Sequence, residues 1–366
     1  MRLALKHKND TAQPGIASPW TTGRLALLIL ALLLIVILLL AIGIGAVPIS
    51  PPEIVAILAR QFGIHLAVPF EVRQEAVMMV IRLPRVVAGL LIGSSLAVAG
   101  ASIQGLFRNP LADPGLIGIS SGSAWAAALV IVLGGTILSP LRTLFGDLLL
   151  PLAAFGGGMI TTLTVYRLAT SHGRTDVTTM LLAGIAINAL SGAGIGLLTY
   201  MATDEQIRDM TFWSLGSLGR ASWGMLAVIL PFVLLPLCLM PILARSLNAF
   251  LLGEAEAGHL GIHVERTKTL IVVLVAMTVG AGVSMAGMIG FVGLVVPHLI
   301  RLVIGPDHRN LLPASALLGA SLLIGADLLA RTVAVPAEVP IGIVTSAVGG
   351  PFFLWLLLRE RRKINA

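Results

Sequence analysis

Charge is what this sequence has least of. Only 11% of its 366 residues are Asp, Glu, Lys or Arg, where a water-soluble domain carries about 25%. Most of the chain therefore has no reason to face water, and a disordered, polar chain is excluded on the same ground. Lysine occurs four times, and the arginines are scattered rather than gathered in a stripe. The net charge of +7 is thus not the footprint of a nucleic-acid binder. Aromatic residues make up 5%, and there is one cysteine, Cys238, inside an apolar run, so no intrachain disulfide can form. No phosphate cradle is present either: the lysines follow Leu5, His7, Thr267 and Arg362, never the glycine that a P-loop requires.

What fills the chain is apolar. Hydrophobic residues reach 57%, glycines number 40, and the mean hydropathy is +0.99. Small residues in such a background let helices approach closely in lipid. A helix needs about 20 apolar residues to cross the hydrocarbon core, and ten runs qualify. They lie near 25–47, 84–106, 117–138, 148–168, 180–201, 223–243, 269–286, 287–304, 312–330 and 340–358. Glycines 280, 282, 287, 290 and 293 blur the border between the seventh and the eighth. The first run is too long for a signal-peptide core and is expected to remain.

The reading is an all-α integral membrane protein of about ten transmembrane helices. Residues 1–24 form an N-terminal segment, 25–358 the membrane domain, and 359–366 a basic tail. With both termini cytoplasmic, the inner segments hold 16 of the 24 basic residues and the outer segments hold 8, as the positive-inside rule expects. Residues 48–83 (outside) and 244–268 (inside) are too long and polar to be turns. The second is expected to form short helices against the membrane face, a docking surface.

Buried titrating relays of the kind a proton- or sodium-coupled carrier uses are nearly missing. Asp327 and Arg331 stand four apart and can pair on one helix face. His259 and His263 share that spacing, but no further ligands surround them, so no metal site is assigned; His298 reads as a packed histidine. No nucleophile–base set suggests an enzyme.

Several segments together resemble the FecCD family of binding-protein-dependent ABC importers, which take up iron-siderophores, haem and vitamin B12 in bacteria. They are RLPR at 82–85, AGASIQGLFRNPLADPGLIGISSG at 99–122, LLAGIAINAL at 181–190, GEAEAGHLGI at 253–262, GMIGFVGLVVPHLIRL at 287–302, DHRNLLP at 307–313, GADLLAR at 325–331 and EVPIGIVTSAVGGPFFLWLLL at 338–358. The resemblance implies the fold of a type II importer permease, similar to the vitamin B12 permease, in the bacterial inner membrane. It implies a second copy of the chain, two ATP-binding subunits that use the ATP, and a periplasmic binding protein. No covalent cofactor is implied. Arg82, Arg85 and Arg331 fall on motifs that clasp binding-protein glutamates in relatives, where a guanidinium fork matches a carboxylate. A coupling loop near 251–268 is expected to dock into the ATPase through Glu254, Ala255, Glu256, Ala257, Gly258 and Gly261. The pathway would follow the dimer axis beside Gly184, Gly192, Gly194 and Gly196, with Asn109, Leu111 and Thr178 in gating turns; Val177 departs from the B12-permease pattern. The wording of GLFRNPLADPGLIGISSGSAWAA at 105–127 and of DMTFWSLGSLG at 209–219 is similar to haem permeases, with Arg208 and Arg220 as candidate propionate contacts. A ferric siderophore or cobalamin as cargo, and an ion-coupled carrier, are the alternatives.

Overall fold

The computed structural model describes residues 19–364. The N-terminal segment up to residue 18 and residues 365–366 lie outside the described residues. Each of the ten apolar runs contains a helix: α1 (Pro19–Gly43), α2 (Leu83–Leu106), α3 (Ile119–Leu133), α4 (Leu149–Ala169), α5 (Val177–Met201), α6 (Trp223–Leu239), α7 (Val264–Ala286), α8 (Val292–Ile304), α9 (His308–Thr332) and α10 (Ile341–Ile364). Among the described residues, seven helical stretches are long and apolar enough to cross a membrane. The three shorter apolar helices are α3, α8 and Ile341–Trp355 within α10.

Placement of the helices follows from side-chain size. α2 carries Gly89, Gly93 and Gly100 on faces that meet other helices, and it packs on α9, α7 and α8 at once. At Gly100 a Cβ would strike the backbone carbonyl of Gly293 in α8, and at Gly93 that of Gly319 in α9. Only glycine permits backbones this close, and the reward is dispersion along both helices. Accordingly α2 is buried over 83% of its most apolar stretch, whereas α5 is buried over 17% of its own. The first sits at the centre; the second forms a wall.

Two helices start inside the bundle rather than at its ends. The α2–α3 connection bends at Asp113, whose Oδ1 accepts from the Gly115 amide at 2.7 Å, and α3 begins beside Thr161 of α4 and Ile187 of α5. Between α7 and α8 the chain unwinds over 287–291. Gly287 packs on the Trp213 carbonyl, and Phe291 adopts a φ of 68° with its ring against Gly349 of α10. That break resolves the blurred border in the sequence. The two irregular segments meet, since a Cβ on Gly293 would lie 3.5 Å from Pro114.

Both long connections are structured. Residues 48–83 hold the helix Pro51–Gln61, capped by Ser50 and Glu53, then Val72–Ala76 and a π-helical turn Val77–Arg82 that runs into α2. Residues 244–268 hold the short helices Ala244–Phe250 and Glu254–His259. A minimal hairpin of β1 (Thr170–Ser171) and β2 (Arg174–Thr175) joins α4 to α5.

Candidate functional site

At one end of the bundle, the three arginines expected to face a partner point inward. Arg82 is 4% exposed. Its guanidinium donates to the carbonyls of Ile42, Gly43 and Val47, two at the end of α1 and one just past it, where carbonyls have no partner within the helix. The wide π turn before α2 places it there. Arg85 Nε donates to both oxygens of Asp327 at 2.9 Å, and its Nη1 reaches Glu338 at 2.9 Å. Arg331 caps the Ala41 carbonyl and stands 3.9 Å from Asp327. The i, i+4 pair expected within α9 is therefore the looser contact, and the close partner of Asp327 comes from α2. Inside this chain the arginines lock the ends of α1, α2 and α9 together. Sequence reasoning missed that use and missed Glu338 altogether.

Beside this lock lies a cavity of ≈ 480 Å³ that includes Phe212, Trp213, Arg220, Met225, Met285 and Glu338 in its lining. Asp147 and Asp209 also border it. Arg220 lines it and Arg208 does not, so the two candidate cargo contacts part company. A smaller apolar cavity of ≈ 210 Å³ between α3 and α5 contains Met210 and Met288 and shares Ile131 and Trp213 with the first.

Along α5, Gly184 packs on the Leu116 carbonyl and Gly194 on the Trp125 ring, while Gly192 and Gly196 have nothing within 4 Å of a notional Cβ. Thr178, Leu182, Ile185 and Ala189 continue the same exposed stripe. Four glycines read alike in the sequence thus divide into two packing positions and two open ones. Asn109 and Leu111 are exposed in the turn after α2, where Asn109 Oδ1 accepts from the Leu111 amide at 2.9 Å.

At the opposite end from Arg85, the helix Glu254–His259 starts at Gly253 (φ 129°) and is followed by Gly261 (φ 83°), conformations that L side chains rarely adopt. Glu254, Ala255, Glu256 and Gly258 are solvent-facing or half-buried, and Ala257 packs inward. The helix ends at His259, so His259 and His263 do not share a helical face. Glu254 accepts a 2.6 Å hydrogen bond from Lys268 of α7, a residue that no motif singled out. On the neighbouring side Asn248 holds α9: its Nδ2 donates to Asp307 at 2.6 Å, and its Oδ1 accepts from the His308 amide at 2.9 Å.

A bundle of antiparallel apolar helices, two of them broken within it and one presenting an open glycine stripe, is a multi-pass membrane protein. The chain belongs to the FecCD transport family, which it matches over residues 33–359. It is 48% identical over 284 residues to the hemin transport system permease protein HmuU of Yersinia pestis, covering 77% of this chain and 83% of that one. To the cobalamin import system permease protein BtuC of Halobacterium salinarum it is 42% identical over 287 residues, 78% of this chain and 74% of the relative. Among solved structures, an inward-facing metal-chelate type ABC transporter superposes with a TM-score of 0.79 at 30% identity, covering 92% of this chain and 99% of that chain. The fold is that of a type II ABC importer permease.

Proposed function

We propose that the chain carries haem across a bacterial inner membrane as one half of a homodimeric permease, driven by two separate ATP-binding subunits and loaded by a periplasmic binding protein. The cargo rests on one observation, the 48% identity to a hemin permease over most of both chains. The cavity beside Arg220 supports it, because Phe212, Trp213 and Met285 suit an apolar ring and the guanidinium suits a propionate. In this reading the Arg85 end is periplasmic and the Glu254–His259 end, with both termini, is cytoplasmic. A pathway between two copies would run along the α5 stripe of Gly192 and Gly196, closed below by the connecting turn of Asn109 and Leu111 and by Thr178, which lies in the first turn of α5 rather than in a loop. A docking protein would engage Arg85 and Arg331 by offering its carboxylates in place of Glu338 and Asp327, while Arg82 keeps its carbonyl partners. Glu254, Ala255, Glu256, Gly258 and Gly261 would meet the ATPase around the inward-packed Ala257.

The test is uptake by proteoliposomes containing the chain with its ATPase subunits, supplied with binding protein loaded in turn with haem, cobalamin or a ferric siderophore. ATP-dependent accumulation of haem alone is expected. Accumulation of cobalamin or the siderophore instead would move the cargo assignment, and uptake driven by an ion gradient without ATP would end the importer reading.

A further inference from the structure

Lys268 is 2% exposed, a rare position for an ammonium unless every donor is matched. Here three acceptors from three segments surround it: Glu254 Oε2 at 2.6 Å, Glu265 Oε1 at 3.2 Å and the Thr175 carbonyl at 2.9 Å. Glu265 closes the ring by accepting from the Thr175 amide at 2.9 Å. The acceptors belong to the short helix Glu254–His259, to the first turn of α7 and to β2 of the hairpin. On the hairpin side the tie is doubled, because Tyr166 Oη bonds Thr269 at 2.6 Å and also accepts from Thr175 at 3.1 Å. The hairpin and α7 thus form one stiff body. The short helix has a single buried residue, Ala257, so its hold on that body depends heavily on Glu254 and Lys268. One residue beyond Thr175, Asp176 caps α5 by accepting from the Thr179 amide at 2.7 Å.

We propose that Lys268 is a positioning residue that links the helix Glu254–His259 to the α4–α5 hairpin, so that displacement of that helix is delivered to the first turn of α5. This rests on the reading that the helix faces an ATPase subunit. A compact ammonium is well matched to such a junction, since charge-assisted bonds to two carboxylates and a carbonyl hold three segments at one point. The carboxylates themselves stay hydrated, with side chains 40% and 33% exposed.

The experiment uses the chain assembled with its ATPase subunits and haem-loaded binding protein in proteoliposomes, reading subunit retention, ATP hydrolysis and haem uptake together. K268M and E265A, the second removing the carboxylate that holds both Lys268 and the Thr175 amide, are expected to keep the ATPase subunits and to hydrolyse ATP. Haem moved per ATP should fall roughly tenfold in each, the weight of one charge-assisted bond, and no further in the double variant, since both changes cut the same link. An unchanged ratio, losses that multiply in the double variant, or loss of the ATPase subunits would each overturn the linkage. If K268M yields no monodisperse complex, E265A, a change at a hydrated carboxylate, decides by the same ratio. Failure of the unsubstituted chain to retain any ATPase would instead sink the underlying reading.

Discussion

Arg85 and Asp327 are 242 residues apart in the chain, and the guanidinium Nε of one lies 2.9 Å from both carboxylate oxygens of the other. The contact fastens the start of α2 to the last turns of α9. Glu338 extends it to the segment before α10, so the ends of three helices share one guanidinium.

Breaking this pair from one side should cost far more than deleting it. R85M leaves Asp327 buried with only Arg331, 3.9 Å away, and an uncompensated buried charge costs about 3–5 kcal/mol. The double variant R85M/D327L removes both charges and should recover most of that loss. Thermal unfolding in detergent tests it; a double variant as unstable as the sum of the singles would show that the pair is not the cause.

Glycines should separate by location. G100A forces a methyl into the Gly293 backbone, and since neither helix can yield there, the loss should exceed the roughly 1–3 kcal/mol of ordinary overpacking. G192A meets open space and should change stability by no more than about 0.5 kcal/mol. Folded yield and melting temperature of the two variants provide the comparison. Equal damage from both would mean that α2 and α8 do not cross in backbone contact.

The course of the ten apolar runs was legible because lipid leaves no alternative to long helical spans. The breaks were less so. A run of glycines between 280 and 293 signals close packing and unwinding alike, and only Phe291 against Gly349 shows where the chain turns. Arg82 and Arg85 were visible as a motif, but their partners were not, because a bond spanning 242 residues leaves no local trace. Lys268 went unremarked for the same reason: its neighbours Arg266 and Glu265 make it look like part of a solvated turn, and its burial depends on the hairpin ninety-three residues earlier. Gly192 and Gly184 are the same residue type eight positions apart, yet one is open and the other packed, a difference set by the loop at Leu116.

Acid should weaken the start of α5. Thr179 donates both its hydroxyl and its amide to Asp176, and these bonds, the hydroxyl first, hold the carboxyl below the ordinary value. A depressed folded pKa means that the stabilisation is present above the unfolded value, about 3.9, and is lost as pH falls through the folded one. D176A should therefore unfold at a lower temperature than the unsubstituted chain at pH 7, and the gap should close as the pH drops below about 4. A gap independent of pH would assign the effect to packing rather than to the charged cap.

The two candidate cargo arginines make opposite forecasts. Arg220 lines the ≈ 480 Å³ cavity with Trp213 and Met285, and a guanidinium there has a reason to meet an anionic group entering from that end. Arg208 belongs to the helix Asp204–Leu215, exposed and away from the cavity. In the haem-uptake assay, R220A should raise the concentration of loaded binding protein needed for half-maximal uptake by roughly tenfold, the loss of one bond to a charged group. R208A should leave it unchanged. The carboxylates Asp147, Asp209 and Glu338 on the same wall sharpen the test, because with Arg220 gone the cavity would present only negative charge to a propionate. Uptake insensitive to R220A would exclude the cavity from the route of the cargo, and sensitivity to R208A alone would shift the contact to the outer face of that helix.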